Sequence, residues 1–140
     1  MKVFFDSNVI IDALIQRDVN YRSSVELLRC VIAGKIKGYI SAKQITDIYY
    51  VIRHSFKFEE DRRHFIGIIT QTFEIISTTK ADINYCLNSK MSDLEDALLD
   101  EVCSVNCIDY LVTNNVKDFA KAKSTIFTPE QLLTLIEINK

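Results

Sequence analysis

A chain of 140 residues with 48% hydrophobic residues, three glycines and one proline has the size and composition of one compact domain, 1–140, with a single core. Its formal net charge of -2 excludes a protein that binds nucleic acid through bulk positive charge, although it allows a local basic patch. No signal peptide precedes Asp6 and no apolar run reaches the ~18 residues of a membrane span, so we expect a soluble cytoplasmic protein with no membrane partner.

Strands alternate with helices along the chain. Short runs rich in β-branched and aromatic residues predict the strands, and apolar residues three and four apart predict the helices. Gly34 closes the second helix, and Thr128, Pro129 and Gln131 form a strong helix start. The predicted strands are 1–5, 38–41, 73–76, 109–113 and 125–127. The predicted helices are 9–15, 21–33, 42–53, 58–72, 80–87, 91–107 and a last one from 129 onward.

This alternation builds βαβ units with right-handed crossovers, and such units form a parallel sheet with helices on both faces. We therefore predict a three-layer α/β/α sandwich, Rossmann-like, with a short parallel sheet of four to five strands. Ligands of such sheets bind beyond the carboxyl ends of the strands, where the strand order reverses. Asp6 and the polar segment 114–118 are expected to emerge there.

The helix predicted over 91–107 combines helix-start signals with an unusual number of acids. Ser92 and Glu95 have the spacing of a capping box, and an acid such as Asp93 suits the positive end of the helix dipole. These two effects account for the acids of the first turn only.

Asp96 and Asp100 repeat with Asp93 on one face of this helix. The three form either the solvent side of an amphipathic helix or part of a site. We choose Asp96 as the candidate ligand. Asp93 is expected to cap the helix or to stand behind the ligands, and Asp100, a turn further on, is expected outside the cleft.

Four acids share one kind of position in the predicted structure: each lies just after a strand or in the first turns of a helix. Carboxylates gathered in a cleft repel each other and need a counter-charge, for which Mg²⁺ or Mn²⁺ is suited. Such an ion favours phosphate oxygens as further ligands, which indicates phosphate-ester chemistry. Each acid taken singly is also explained as a cap, a solvated helix residue or a turn acid. The four are Asp6, Asp47, Asp96 and Asp118.

Three segments resemble the PIN-domain family, in the right order and in nearly the whole chain. They are VFFDSNVIID from Val3, SDLEDAL from Ser92 and DYLVTNNVKDF from Asp109. The resemblance implies a small metal-dependent ribonuclease, similar to the VapC toxins of type II toxin–antitoxin pairs. It also implies RNA as substrate, an antitoxin as a possible partner, and a homodimer.

The positions that match the family's catalytic acids are Asp6, Asp47, Asp96 and Asp118. The resemblance implies that Asp6, Asp96 and Asp118 hold Mg²⁺ or Mn²⁺ and that Asp47 orients the attacking water. Thr113 and Asn115 match polar positions that border the metal, and Asp93 is expected behind the ligands. Two departures are visible, because Asp47 stands where Glu is common and Asn115 where Asp is common.

Two alternatives remain open at this point. A phosphatase of the haloacid dehalogenase type carries Asp-x-Asp after its first strand, but Asn8 stands where the second Asp is needed. A PIN-like fold with weak metal binding would act as an RNA-binding or protein-interaction module, and Asn115 favours that interpretation.

Phosphate contacts beyond the metal need cations. The candidates are Lys43, Arg53 and Lys117, although each is more simply explained as a surface charge. The basic run 62–64 stands beside three acids and is interpreted as a solvated helix face.

The chain has four cysteines without a Cys-x-x-Cys pair, and the two histidines lie elsewhere, which disfavours a zinc site. Without an export signal disulfides are disfavoured as well, so all four thiols are interpreted as small buried hydrophobic groups. They are Cys30, Cys86, Cys103 and Cys107.

Overall fold

A computed structural model of the protein describes residues 1–139. The strands are β1 (Lys2–Phe5), β2 (Lys37–Ser41), β3 (Glu74–Ile76), β4 (Tyr110–Val112) and β5 (Ile126–Phe127). The helices are α1 (Ser7–Ile15), α2 (Tyr21–Ile32), α3 (Ala42–Ile52), α4 (Glu59–Thr72), α5 (Lys80–Cys86), α6 (Leu94–Val105) and α7 (Pro129–Ile138). A short 3₁₀ helix, Val116–Phe119, follows β4. Among the described helices, none has the length and apolarity to cross a membrane.

The strands form one parallel sheet in the order β3-β2-β1-β4-β5. Strands β2 and β3 lie successively on one side of β1, and β4 and β5 lie successively on its other side. The strand order therefore reverses between β1 and β4, where ligands of such sheets bind. Phe5 pairs with Val112 in register, so the following residues, Asp6 and Thr113, emerge side by side at that crevice.

Side chains of β1 alternate between two helical layers. Val3 and Phe5 belong to a large core with residues of α1, α2, α3, α4 and α7, whereas Phe4 packs with Leu111 and with α6. Val3, Phe4 and Phe5 are completely buried. A strand that is apolar on both faces requires cover on both faces, so the predicted three-layer sandwich with a parallel sheet is confirmed.

Helix ends follow the capping chemistry of the sequence in two places. At the end of α2, Gly34 has φ +71°, Gly34 N donates to Val31 O at 3.0 Å and Lys35 N donates to Cys30 O at 2.9 Å. This is a Schellman motif, which requires a residue of positive φ. At the start of α7, the Thr128 side chain accepts from Gln131 N, and the Gln131 side chain accepts from Thr128 N.

The predicted capping box of Ser92 and Glu95 is wrong. The helix α6 begins at Leu94, and its N-cap is Asp93, whose Oδ1 accepts a hydrogen bond from Asp96 N at 3.0 Å. Asp93 is extended (φ -115°, ψ 126°), which brings its short carboxylate onto the backbone N–H three residues later. The capping role expected for Asp93 is thereby confirmed, and Glu95 is free for another contact.

The solvent-face interpretation fails for Asp100, and the buried-thiol interpretation fails for Cys107. Asp100 is 5% exposed and accepts hydrogen bonds from Lys123 N and Ser124 N, both at 2.9 Å. Cys107 follows the end of α6 with φ 52° and is exposed, because the chain turns outward there to reach β4.

Candidate active site

Asp6 lies directly after β1, at the turn into α1. It occupies the N-cap position of α1, yet its side chain makes no capping hydrogen bond. Its Oδ2 instead accepts hydrogen bonds from Thr113 Oγ1 at 2.8 Å and from Asn8 Nδ2 at 3.2 Å. Burial raises the pKa of Asp6, and the hydrogen bond from Thr113 opposes part of that rise. Such a carboxylate favours a proton or a nearby cation.

Thr113 contacts Asp6, and Asn115 contacts Thr113 on the side nearer the solvent. Thr113 is completely buried, and its Oγ1 also accepts a hydrogen bond from Asn115 N at 3.0 Å. Asn115 is exposed, and Asn115 O accepts a hydrogen bond from Asp118 N at 3.0 Å. The backbone of Asn115 thus connects Thr113 to the 3₁₀ helix that carries Asp118.

A second set of polar contacts, which sequence reasoning missed, holds the loop after β4 against α1. Asn114 N donates to Asn8 Oδ1 at 3.3 Å, and Asn114 Nδ2 donates to Asp12 Oδ2 at 2.6 Å. Asp12 is 3% exposed and pairs with Arg17 at 2.5 Å between Oδ1 and Nε. The available signal was the acid inside the apolar run of α1, because a buried charge requires partners.

Asp96 lies in the first turn of α6 and faces the other acids. Its pKa is raised to about 6, first by burial and then by the negative charges of Asp93, Asp6, Asp118 and Glu95. The raised pKa therefore records the electrostatic interaction of carboxylates from three elements, the β1 end, α6 and the 3₁₀ helix.

Asp118 is the most distant of the candidate ligands along the chain and lies at the surface. It lies in the 3₁₀ helix after β4 and is exposed. Together with Lys90, Lys117 and Lys121 it lines a cavity of about 160 Å³. Lys117, a predicted phosphate contact, is exposed and makes no ion pair with a residue of the described range.

Asp47 is held by Lys43, which sequence reasoning had considered only as a phosphate contact. Lys43 Nζ lies 2.8 Å from Asp47 Oδ2 on α3 and 3.0 Å from Glu95 Oε1 on α6. Asp47 Oδ2 is buried, and the Lys43 ammonium is the partner that the structure gives it. Partial burial alone would lower the pKa of Lys43, but Asp47 and Glu95 together outweigh this effect and raise it.

Arg53 is not close to this edge of the sheet. Helix α3 starts at the carboxyl end of β2, so its far end is about 16 Å away along the helix axis. There the guanidinium of Arg53 stacks 3.9 Å from the ring centroid of Tyr50. Further along the chain, Arg62 and Arg63 both pair with Glu59, as expected of a solvated helix face.

The donor chemistry of the group fits a hard divalent cation. It offers carboxylate oxygens with hydroxyl and amide groups beside them, and neither thiol nor imidazole. The mutual repulsion that raises the pKa of Asp96 is the kind that a cation relieves. Within residues 1–139, however, no three His, Cys, Asp or Glu side chains already stand close enough together to hold an ion. An ion bound directly by three carboxylates would therefore need these side chains to come closer together than they are here.

A family model described as PIN domain matches residues 2–117. Ribonuclease VapC1 of Aquifex aeolicus (strain VF5) is 29% identical over 137 residues, which cover 93% of this chain and 92% of that protein. VapBC2 from Rickettsia felis, bound to a DNA fragment from its promoter, superposes with a TM-score of 0.67, 20% identity and coverage of 91% of this chain and 98% of that chain.

A toxin–antitoxin complex from Klebsiella pneumoniae superposes with a TM-score of 0.66, 22% identity and coverage of 91% and 97%. At these identities the two superpositions concern the fold. Together with a family match that spans most of the sequence, they assign the chain to the PIN-domain family.

Proposed function

We propose that this protein is a ribonuclease that uses Mg²⁺ or Mn²⁺ to hydrolyse RNA phosphodiester bonds, and that it is the toxin of a type II toxin–antitoxin pair. The aligned relative is named Ribonuclease VapC1, and two of the similar folds were solved as VapBC or toxin–antitoxin complexes. These names support an RNA substrate and an antitoxin partner. The comparisons favour neither the phosphatase nor the non-enzymatic alternative.

The observation that carries the proposal is the electrostatic state of Asp96. Its pKa is raised to about 6 by burial and by the charges of neighbouring acids, among them Asp6 and Asp118. Acids on a folded chain that disfavour each other's charge reduce its stability, so they require a functional reason. The position of Asp6 at the switch point of a parallel sheet supports a ligand as that reason.

Asp6, Asp96 and Asp118 would hold the ion. When bound, a divalent cation lowers the pKa of water and offsets negative charge on a phosphate group. Thr113 keeps the carboxylate of Asp6 in place through its hydroxyl, and Asp93 fixes the first turn of α6 on which Asp96 lies. These contacts reduce the side-chain freedom that ligand binding would otherwise have to remove.

Asp47 would orient the attacking water. Its Oδ2 is buried 2.8 Å from Lys43 Nζ, whereas the side chain as a whole is 39% exposed, so Oδ1 is the oxygen that a water molecule can reach. Lys43 links Asp47 on α3 to Glu95 on α6. The shorter reach of Asp47 compared with Glu agrees with a contact through water.

We further propose that the protein acts in the cytoplasm as a homodimer that a cognate antitoxin inhibits. The location rests on the composition of the sequence, the homodimer on the resemblance to the toxin family, and the antitoxin on that resemblance and on the names of the similar complexes. Chromatography of the protein alone, and after co-expression with a small gene if one adjoins its own, measures both assemblies.

The test is RNA cleavage by purified protein with Mn²⁺, with Mg²⁺ and with EDTA. Asp6→Asn and Asp96→Asn remove proposed ligands and are expected to abolish cleavage, as is EDTA. Asp61→Asn is the matched control, because Asp61 is exposed on α4 and makes no ion pair within the described range. Cleavage that persists in EDTA or in both ligand variants would contradict the proposal.

A further inference from the structure

Two adjoining cavities share Lys90 and Lys121 in their walls. The smaller cavity, about 160 Å³, contains Asp118 of the candidate site. The larger, about 410 Å³, extends between α5, α6 and the loop before β5. We call both together the lysine groove, which is formed by Tyr85, Lys90, Lys117, Lys121 and Lys123.

The groove offers positive charge that the fold itself does not use. Lys90, Lys117 and Lys121 are exposed, and none of them forms an ion pair within residues 1–139. Lys123 is partly engaged, with Nζ 3.7 Å from Glu101 Oε2. The same walls hold Asp100, which is bonded to backbone N–H groups, Glu101, which is paired with Lys123, and Asp118. Lys90, Lys117 and Lys121 therefore leave an excess of positive charge, which favours an anionic ligand.

A buried acid holds the loop that carries two of these lysines. Both carboxylate oxygens of Asp100 accept backbone hydrogen bonds at 2.9 Å, one from Lys123 N and one from Ser124 N. Asp100 is 5% exposed, so its own charge lies below the groove and is occupied by these bonds. The loop with Lys121 and Lys123 is thus fixed to α6 and keeps its lysines at the groove wall.

Tyr85 adds an aromatic surface to the groove. Its side chain is 54% exposed, and Lys123 Nζ lies 4.1 Å from the ring centroid. Cations for the backbone together with an exposed ring for a base are the combination by which proteins bind single-stranded nucleic acid. An acidic protein segment would use the lysines but would have no need of the ring.

We propose that the lysine groove binds single-stranded RNA beside the bond that is cleaved. Lys90, Lys117 and Lys121 contact phosphates, and a base stacks on Tyr85. This inference rests on the proposed function, since Asp118 in the groove wall connects the groove to the candidate site. A strand that leaves the groove past Lys117 enters the cluster of acids.

The test measures binding separately from cleavage. A short fluorescent single-stranded RNA is titrated with the full chain carrying Asp96→Asn, so that the RNA stays intact, and anisotropy is followed at several salt concentrations. Adding Lys90→Ala and Lys121→Ala is expected to weaken binding and to reduce the slope of log affinity against log salt by about 1.4, because each phosphate contact contributes about 0.7. The matched control is Lys35→Ala, an exposed lysine at the amino end of β2.

Substitutions of Tyr85 distinguish binding of RNA from binding of other anions. Tyr85→Ala is expected to weaken RNA binding about fivefold or more, whereas Tyr85→Phe keeps the ring and retains binding. Poly-glutamate that displaces RNA with equal affinity, together with unchanged RNA binding by Tyr85→Ala, would assign the groove to an acidic protein segment and overturn the inference.

The experiments distinguish a wrong assignment of RNA binding to the lysine groove from a wrong proposed function. If the double lysine variant binds like Lys35→Ala while otherwise unchanged protein still cleaves RNA with Mn²⁺, the groove assignment is wrong and the proposed function stands. If the protein neither binds nor cleaves RNA, both are overturned.

Discussion

Thr113 and Asp6 are joined by a hydrogen bond of 2.8 Å from Oγ1 to Oδ2, although 107 residues separate them in the chain. The parallel register of β1 and β4 places them at neighbouring strand ends. The bond holds Oδ2 of Asp6 at the end of β4, and the side chain makes no capping hydrogen bond to α1. The pairing of the two central strands therefore sets the orientation of the first candidate ligand.

Replacing Thr113 by Val should destabilise the protein by about 1–3 kcal/mol, because the buried hydroxyl serves Asp6 and Asn115 N at once. The pKa of Asp6 should rise further, since the bond from Thr113 lowers it. Urea denaturation measures the first effect. Thr113→Ser, which keeps the hydroxyl, is the control; if Val is tolerated as well as Ser, the hydroxyl does not stabilise the fold.

The contribution of Asp96 to the stability of the metal-free protein should fall as the pH rises. The pKa of Asp96 is 3.8 in an unfolded chain and about 6 in the folded one, so the folded state binds this proton more tightly. The stability that this proton provides is present below about pH 4 and is lost as the pH rises through about 6. Thermal denaturation in EDTA across this range measures the effect.

Asp96→Asn should remove both the loss of stability at rising pH and the stabilisation by a metal ion. In EDTA near pH 7 we expect the variant to have a higher melting temperature than the unchanged protein, because the repulsion among the acids is reduced. Mn²⁺ should raise the melting temperature of the unchanged protein but not that of the variant. An equal rise in both would show that the ion binds elsewhere.

The acids of α6 should differ in what they do for stability. Asp100→Ala removes two charge-assisted hydrogen bonds to Lys123 N and Ser124 N, and we expect a loss of about 2–4 kcal/mol. Asp93→Ala removes a helix cap and should cost about 1 kcal/mol, while Asp93→Asn, which still caps, should cost little. Chemical denaturation of the three variants decides; a smaller loss for Asp100→Ala than for Asp93→Ala would contradict the assignment.

Thiol labelling tests the same part of the fold without changing it. Cys107 is exposed and should react first with a thiol reagent, an effect that Cys107→Ser removes. Cys103 is 1% exposed, and burial, followed by the charge of Asp100, raises its pKa, so its reactive thiolate is disfavoured. Cys103 should react only after unfolding. Equal rates for both cysteines in the native protein would be incompatible with the packing of α6.

Much of the fold was predictable because local signals agree with the tertiary structure. The three residues before Asp6, Val3 to Phe5, are all apolar, which is what a central parallel strand needs. Thr128, Pro129 and Gln131 produced the helix start that their chemistry favours. Ser92 and Asp93 were both candidates for the N-cap of α6. Asp93 forms the cap, because its carboxylate reaches the N–H of Asp96.

The electrostatics of the site was less predictable, because it depends on which helices meet. Nothing in the spacing of Lys43 and Glu95 indicates that one amine bridges α3 and α6. Asp100 looked like a solvated acid because its partners, two backbone N–H groups, lie 23 and 24 residues away. Such contacts follow from packing, which a single sequence does not display.

A crystal of the protein soaked with Mn²⁺ above pH 7, where Asp96 is ionised, shows whether the three acids bind a metal ion. Anomalous scattering locates the ion independently of any refined side chain. We expect one strong peak bonded to carboxylate oxygens of Asp6, Asp96 and Asp118. A map with no peak among these three carboxylates, or with the strong peak at another group of acids, would contradict it.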